Sequence, residues 1–158
     1  MMHIKALPMS IFRGSPGDEV TFSKTIGESD VYLFAGITGD LSPNHVNEDF
    51  MSRSAYKRRI AHGALLVGFM STASSLMIDK IGFSQTETAV SLGYDRIRFL
   101  AAALIGDTIK VIYRIKEVDA ERRRSRSEVS VTNQNGELVA IAEHILKWVP
   151  NEPNPAHV

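Results

Sequence analysis

Two residues able to perform acid–base chemistry, Asp40 and His45, lie five positions apart in the segment FAGITGDLSPNH, where Pro43 restricts the backbone. An ionised carboxylate and an imidazole held close together can share one water molecule, orient it and remove its proton. The same spacing is also typical of a turn cap followed by a surface histidine. Asp40 and His45 are therefore candidates for chemistry on water, and the spacing alone does not decide between these interpretations.

A second polar group follows seventeen residues after His45, where His62 and Gly63 begin an apolar segment. A glycine at the start of a helix lets a ligand approach the free backbone N–H groups at the positive end of the helix dipole. Such donors suit a carbonyl oxygen that gains negative charge during a reaction. The alternative for His62 is a helix cap or a packed imidazole. Taken together, the two segments could act on an atom next to a carbonyl.

The hydrophobic patterning predicts the elements that position these residues. Strands are expected at 19–26, 86–100, 107–118, 122–132 and 137–149, with turns at Gly106-Asp107 and Asn135-Gly136. A short helix over 31–37 has Ser29 or Asp30 as its cap. A loop covers 39–60, and a long helix of few charges over 63–79 is expected to be central and buried. One strand, then helices, then long antiparallel strands is an α+β arrangement.

The composition is typical of one globular domain. The chain has 158 residues, with no cysteine and with 18 basic against 18 acidic residues. The absence of cysteine excludes disulfides, thiolate metal sites and a cysteine nucleophile, and the charge balance argues against nucleic acid as a partner. The longest uncharged run, 61–78, is interrupted by serine and threonine, so no membrane span is expected. We expect a single cytoplasmic domain over 1–158, with its core at about 18–150.

The motif Gly39-Asp40-x-x-Pro43-x-His45, followed by His62-Gly63 at the start of the long helix, resembles the MaoC-like (R)-specific enoyl-CoA hydratases. The resemblance extends over about 20–148, nearly the whole chain. It implies a single hotdog fold, in which a long antiparallel β-sheet wraps around a central α-helix, here 63–79. Two positions depart from the family pattern, because Ser42 replaces the usual Asn and Asn44 replaces the usual aliphatic residue before the histidine.

This resemblance implies syn addition of water to a trans-2-enoyl-CoA, which gives an (R)-3-hydroxyacyl-CoA, and the reverse dehydration. It implies that Asp40 and His45 hold the water and that the Gly63 N–H polarises the thioester carbonyl. Ser42 and His62 would support the loop, and Ser71 would line the acyl pocket. No metal or redox cofactor is implied. The implied assembly is a homodimer or a dimer of dimers, with the acyl-CoA substrate along the subunit boundary.

Two basic clusters could contact the phosphates of coenzyme A. One is the strand segment 122–126, where Arg122, Arg124 and Arg126 would share a face. Its other interpretation is a solvated strand edge protected by charge. The second cluster lies in the loop before the long helix, at Arg53, Lys57, Arg58 and Arg59. The sequence does not decide which of the two clusters contacts the phosphates.

Three other functions remain open at this stage. A hotdog acyl-CoA thioesterase is disfavoured, since such enzymes place a carboxylate on or near the central helix and this helix has no acid before Asp79. A non-catalytic acyl-thioester-binding subunit would tolerate loss of Asp40 and His45, and both are present. A metal site built from His45, Glu48 and Asp49 is the least favoured, because residues 47–49 are typical of a helix start.

Overall fold

The computed structural model describes residues 13–152. Five strands and four helices follow one another along this part of the chain. In order they are β1 Glu19–Thr25, α1 Glu28–Thr38, α2 Pro43–Val46, α3 Glu48–Ser52, α4 Gly63–Ile81, β2 Glu87–Phe99, β3 Thr108–Asp119, β4 Arg124–Thr132 and β5 Leu138–Pro150. The predicted α+β order is confirmed, and the ends of the predicted strands and of α4 are within two residues of the observed ones. Helix α1 begins three residues earlier than predicted, and its N-cap is Gly27, not Ser29 or Asp30, because the Asp30 carboxylate lies inside the helix and accepts from the Gly27 N–H.

The five strands form one antiparallel sheet in the order β1-β3-β4-β5-β2. Strand β3 shows how the sequence builds it, since Ile109, Val111, Tyr113 and Ile115 are buried on one face while the residues between them are more exposed. The β4–β5 connection is the predicted Asn-Gly turn, and Gly136 takes a φ of 77° there. Strands β1 and β2 are left at the two edges.

The buried face of the sheet packs on α4. This helix contributes Leu66, Phe69, Met70, Ala73 and Met77 to the core, at the spacing of one helical face. By length and hydropathy α4 would also pass as a membrane span. Its buried stripe packs against β1 and β3, so we interpret α4 as the predicted central helix of a packed domain.

The structure corrects two further predictions. The segment 39–60 is not a continuous loop, because α2 and α3 form within it; Asn47 caps α3 by accepting a hydrogen bond from the Phe50 N–H at 2.9 Å. Strand β4 is not a sheet edge, since it lies between β3 and β5. The charges of 122–126 therefore do not protect an edge, and β4 was misplaced because strand order cannot be read from one strand's own sequence.

Candidate active site

His45 lies on the one-turn helix α2, which Pro43 begins. Its backbone N–H donates to the Ser42 carbonyl at 2.9 Å. Its ring Nδ1 lies 2.8 Å from the Ile60 carbonyl oxygen. Because a carbonyl oxygen can only accept, Nδ1 carries the hydrogen, and the Nε2 lone pair of the neutral ring is left free. The ring is thus oriented as a base, although the side chain is almost fully buried.

Asp40 follows the end of α1, where Gly39 adopts a φ of 78° and turns the chain away from the helix. The Asp40 carboxylate accepts a hydrogen bond from the Ser42 N–H at 3.2 Å. Its side chain remains 52% exposed. Asp40 is therefore fixed by its own loop while one face of the carboxylate stays open to solvent and ligands.

His62, at the N-cap position of α4, connects these two residues. Its ring stacks on the His45 ring with centroids 3.7 Å apart and 27° between the planes. Its Nε2 lies 3.1 Å from the Asp40 backbone carbonyl oxygen and 3.9 Å from a carboxylate oxygen of the same residue. The ring of Phe34 covers it at 4.8 Å. The side chain of His62 is 2% exposed, so it is a packed imidazole with a directional contact and does not cap α4 with its side chain.

Asp40, His45 and His62 form one cluster, in which a carboxylate oxygen and one ring nitrogen of each histidine lie within 4.8 Å of one another. Two polar atoms bridged by one water lie about 5 Å apart, since each hydrogen bond spans about 2.8 Å. The tertiary structure therefore brings a carboxylate oxygen of Asp40 and a ring nitrogen of His45 to a separation that one water can bridge.

Gly63 is the first residue of α4, and its N–H is among those with no acceptor within the helix. It lines a cleft of about 270 Å³ together with His45, Leu66 and Phe99. A Cβ atom at residue 63 would lie 2.7 Å from the Phe99 ring, so glycine is required there unless Phe99 moves. The free N–H and the His45 ring thus meet at one opening, which can receive a carbonyl group.

Over residues 12–138, most of its length, the chain matches the model of the family described as MaoC like domain. It is 35% identical over 107 residues to an (R)-specific enoyl-CoA hydratase from Rhodospirillum rubrum, which covers 68% of this chain and 69% of that protein. This chain belongs to the MaoC-like family. A 3-hydroxybutyryl-CoA dehydratase from Methylorubrum extorquens is 34% identical over 132 residues, with coverage of 82% and 76%.

Among solved structures, the unliganded R-hydratase from Pseudomonas aeruginosa superposes with a TM-score of 0.69. The identity is 26%, and the match covers 89% of this chain and 88% of that one. The predicted hotdog fold of the MaoC-like hydratases is confirmed.

Ser42 and Asn44, which depart from the MaoC-like motif, both hold the loop through backbone hydrogen bonds. The carbonyl of Ser42 accepts from the His45 N–H, and the carbonyl of Asn44 accepts from the Ile60 N–H at 3.0 Å. Neither contact depends on the side chain at 42 or 44. The substitutions therefore leave the path of the loop and the orientation of His45 intact.

The histidine pair is poorly arranged to bind a metal ion. A ring nitrogen binds a metal in the plane of its ring at about 2 Å. The rings of His45 and His62 are stacked, so their lone pairs lie in nearly parallel planes and do not converge on one point. One nitrogen of each ring is also committed to a backbone carbonyl. The alternative set is no better, because Glu48 is bound to Arg59 and Asp49 to Arg53.

Of the two basic clusters, the strand segment lies away from the cleft and is largely neutralised. Arg122 pairs with Asp119, Arg123 with Glu87, and Arg126 with Asp95 and Glu143. The loop cluster lies beside the cleft, since Tyr56 and Ile60 line it. Within the loop cluster, Arg53 and Arg59 are already paired with acids. Lys57 and Arg58 are exposed and have no ion pair with a described acid.

Ser71 is not brought to this cleft. It lies eight residues beyond Gly63 on α4, about 12 Å along the axis. The Ser71 hydroxyl lies beside Tyr94, where burial raises the pKa of the phenol and the serine acts in the opposite direction. Its predicted role in an acyl pocket stays a prediction. Sequence reasoning missed Phe99, whose position over Gly63 depends on the pairing of β2 with β5 and carries no local signal.

Proposed function

We propose that this protein is an (R)-specific enoyl-CoA hydratase, which adds water to a trans-2-enoyl-CoA and catalyses the reverse dehydration. One observation carries the proposal: the Ile60 carbonyl holds Nδ1 of His45 and leaves Nε2 free, and the same residue lies beside Asp40 and lines the Gly63 cleft. The relatives at 34% and 35% identity, named as a dehydratase and a hydratase, support it.

In the hydration direction, Asp40 and His45 hold one water between them and accept a proton from it. The water oxygen forms a bond to C3 of the substrate, and the electrons of the C2–C3 double bond move toward the thioester oxygen. The Gly63 N–H donates to this developing enolate oxygen, where the α4 dipole also favours negative charge. The enolate then takes a proton at C2 from the same dyad. Because the dyad both removes and returns the proton, both additions occur on one face.

Proton transfers between water, the dyad and C2 are sufficient for this reaction, so the proposal includes no metal or redox cofactor. A hotdog thioesterase that carries its carboxylate on the central helix is disfavoured. On α4 the single acid is Asp79, which lies near the opposite end from Gly63. The acyl-CoA substrate follows from the relatives' names, and a cytoplasmic location goes with the proposed metabolic role.

We further propose that the chain forms a homodimer through β2. This strand is thirteen residues long and lies at an edge of the sheet, where its outer backbone groups have no neighbouring strand among residues 13–152. Leu92 and Phe99 on this strand, and Leu100 directly after it, are each about half exposed. Pairing two β2 edges would extend the sheet and cover these side chains. It would also place the subunit boundary at Phe99, next to the cleft.

The test is the loss of absorbance of the conjugated thioester when the protein is mixed with crotonyl-CoA, with chiral analysis of the product. The wild type should form (R)-3-hydroxybutyryl-CoA without releasing free thiol. Asp40→Asn and His45→Gln should each lower kcat by about 10²- to 10⁴-fold. Asp49→Asn, an exposed acid paired only with Arg53, is the matched control and should keep full activity.

If crotonyl-CoA is not hydrated, a panel of longer and branched enoyl-CoA substrates follows. Activity on any of them that depends on Asp40 and His45 supports the proposal. Free thiol released in place of the alcohol would indicate a thioesterase. Binding of acyl-CoA with no turnover across the whole panel would indicate a non-catalytic subunit.

A further inference from the structure

The guanidinium of Arg59 joins three elements around the site. Its Nε donates to Glu48 on α3 at 2.8 Å, and one of its terminal nitrogens donates to the Tyr32 hydroxyl on α1 at 2.9 Å. The other terminal nitrogen binds Glu28, at the start of α1. The Arg59 side chain is only 12% exposed. Three polar partners on two helices make this a fixed contact, unlike a free surface cation.

The partners of Arg59 flank the catalytic loop in the chain. Glu28 and Tyr32 lie on α1, which leads directly into Asp40, and Glu48 begins α3, directly after the helix that carries His45. The segment from Asp40 to His45 therefore lies between α1 and α3, and the Arg59 guanidinium is bound to both of these helices. The hydrogen bonds with Glu28 and Glu48 raise the pKa of Arg59, and the bond with Arg59 lowers the pKa of Glu48, so the pair stays charged near neutral pH.

The residue after Arg59 is the one that orients the base. Ile60 donates its N–H to the Asn44 carbonyl at 3.0 Å and accepts from His45 Nδ1 at 2.8 Å. The next backbone group, the Ala61 N–H, is bound to the Ala103 carbonyl at 2.7 Å. The Ile60 carbonyl thus lies between two fixed points of the chain. One is the hydrogen bond from Ala61 to Ala103, and the other is the Arg59 side chain.

We propose that Arg59 is a positioning residue, which fixes the Ile60 carbonyl so that His45 stays in the tautomer with hydrogen on Nδ1 and a free Nε2. This inference rests on the proposed function, because it assigns a role within the same site. It also reassigns Arg59 from the basic cluster that could contact coenzyme A phosphates. Lys57 and Arg58, which remain exposed, are left for that role.

The test compares Arg59→Met, which keeps the length of the side chain without charge, with Arg59→Lys, which restores the charge without the fork of donors. Arg114→Met is the matched control, because Arg114 lies on β3, outside both basic clusters, and is also ion-paired with a glutamate, Glu19. Glu48→Gln weakens the contact from the other side and keeps the test valid if Arg59→Met fails to fold. Tautomers are measured by ¹⁵N NMR of the histidine side chains.

We expect the neutral ring of His45 to be the Nδ1–H tautomer in the wild type and a mixture of both tautomers in Arg59→Met. The kcat of Arg59→Met with crotonyl-CoA should fall at least tenfold, while its KM changes less than threefold. Arg59→Lys should recover part of this loss, and Glu48→Gln should lie between wild type and Arg59→Met. Arg114→Met should match the wild type in both measurements.

Two results would overturn the inference. If His45 keeps one tautomer and full kcat in Arg59→Met and in Glu48→Gln, Arg59 has no positioning role. If KM for crotonyl-CoA rises while KM for the crotonyl thioester of pantetheine is unchanged, Arg59 binds the nucleotide of coenzyme A instead. Failure of the proposed function is distinguishable, since the wild type would then hydrate no enoyl-CoA while the tautomer shift would still be measurable.

Discussion

The imidazole of His62 stacks on that of His45 at 3.7 Å, so the first turn of α4 and the catalytic loop share one contact. The same ring reaches the Asp40 carbonyl oxygen at 3.1 Å. Because Gly63 follows directly, the residues proposed to hold water and the N–H proposed to receive the thioester oxygen are fixed relative to one another. The stack explains how two segments seventeen residues apart form a single site.

His62→Phe tests this contact. The substitution keeps an aromatic ring against His45 but removes the hydrogen bond to the Asp40 carbonyl. We expect kcat for crotonyl-CoA to fall about tenfold, less than in His45→Gln, because the base itself is kept. Steady-state rates and a thermal melt of each variant give the comparison. Activity equal to that of the wild type would show that His62 is only a packing residue.

Gly63→Ala should remove most of the activity with little loss of structure. The added Cβ would meet the Phe99 ring at 2.7 Å, and Phe99 can move because its side chain is half exposed. The methyl group would still stand where the thioester carbonyl approaches the N–H. The N–H would remain in the chain, but the thioester oxygen could no longer reach it. The expected fall in kcat is therefore that for loss of one such donor, about 10²- to 10³-fold.

The double variant Gly63→Ala/Phe99→Ala separates the clash from the chemistry. It should regain any stability lost in Gly63→Ala, as measured by thermal unfolding, because the ring that meets the new methyl group is gone. It should not regain kcat. Recovery of both properties would show that Gly63 serves packing alone.

His144 should make the protein less stable in mild acid. Burial lowers the pKa of His144 to about 4, while the unfolded chain keeps a value near 6.5. Between these values the unfolded state binds the extra proton, so the free energy of unfolding falls as pH drops from about 6.5 to about 4. The loss reaches about 3 kcal/mol, since one pKa unit corresponds to 1.36 kcal/mol.

Urea unfolding between pH 7.5 and 4 measures this dependence. The matched variant is His144→Gln, whose amide can still bond to the neighbouring Tyr113 and Ser91 hydroxyls, which lie 2.9 Å and 2.8 Å from the two ring nitrogens. Between pH 6.5 and 4, the free energy of unfolding of this variant should change less steeply with pH. The difference in slope from the wild type should correspond to nearly one proton taken up on unfolding. Parallel curves for wild type and variant would show that His144 does not titrate in this way.

Leu92→Glu should weaken the proposed dimer. Leu92 is 48% exposed on the edge strand β2, and a carboxylate there would be brought close to its copy across a two-fold axis. Sedimentation measurements should show a dimer for the wild type and a shift to monomer for the variant. Leu33→Glu, at a 64% exposed position on α1, should leave the assembly unchanged. A wild-type monomer at micromolar concentration would contradict the proposal.

Local patterns predicted much of this molecule. The alternation along β3 and the helical stripe of α4 follow from burial on one side, which acts over a few residues, so both elements lie where the sequence placed them. Helix α2 was missed and only the start of α3 was recognised, because helices of four and five residues are too short for a periodic signal. The available local signals were Pro43, the first residue of α2, and Asn47, the N-cap of α3.

The sequence by itself determined the types and local spacing of Asp40, His45 and Gly63, and hence the chemistry that this site can perform. Only the tertiary structure decided the tautomer of His45, because Ile60 lies fifteen residues away and reaches the ring through folding. The placement of Phe99 over Gly63 and the central position of β4 were decided in the same way. Sheet order and ring contacts depend on long-range packing, which no single segment encodes.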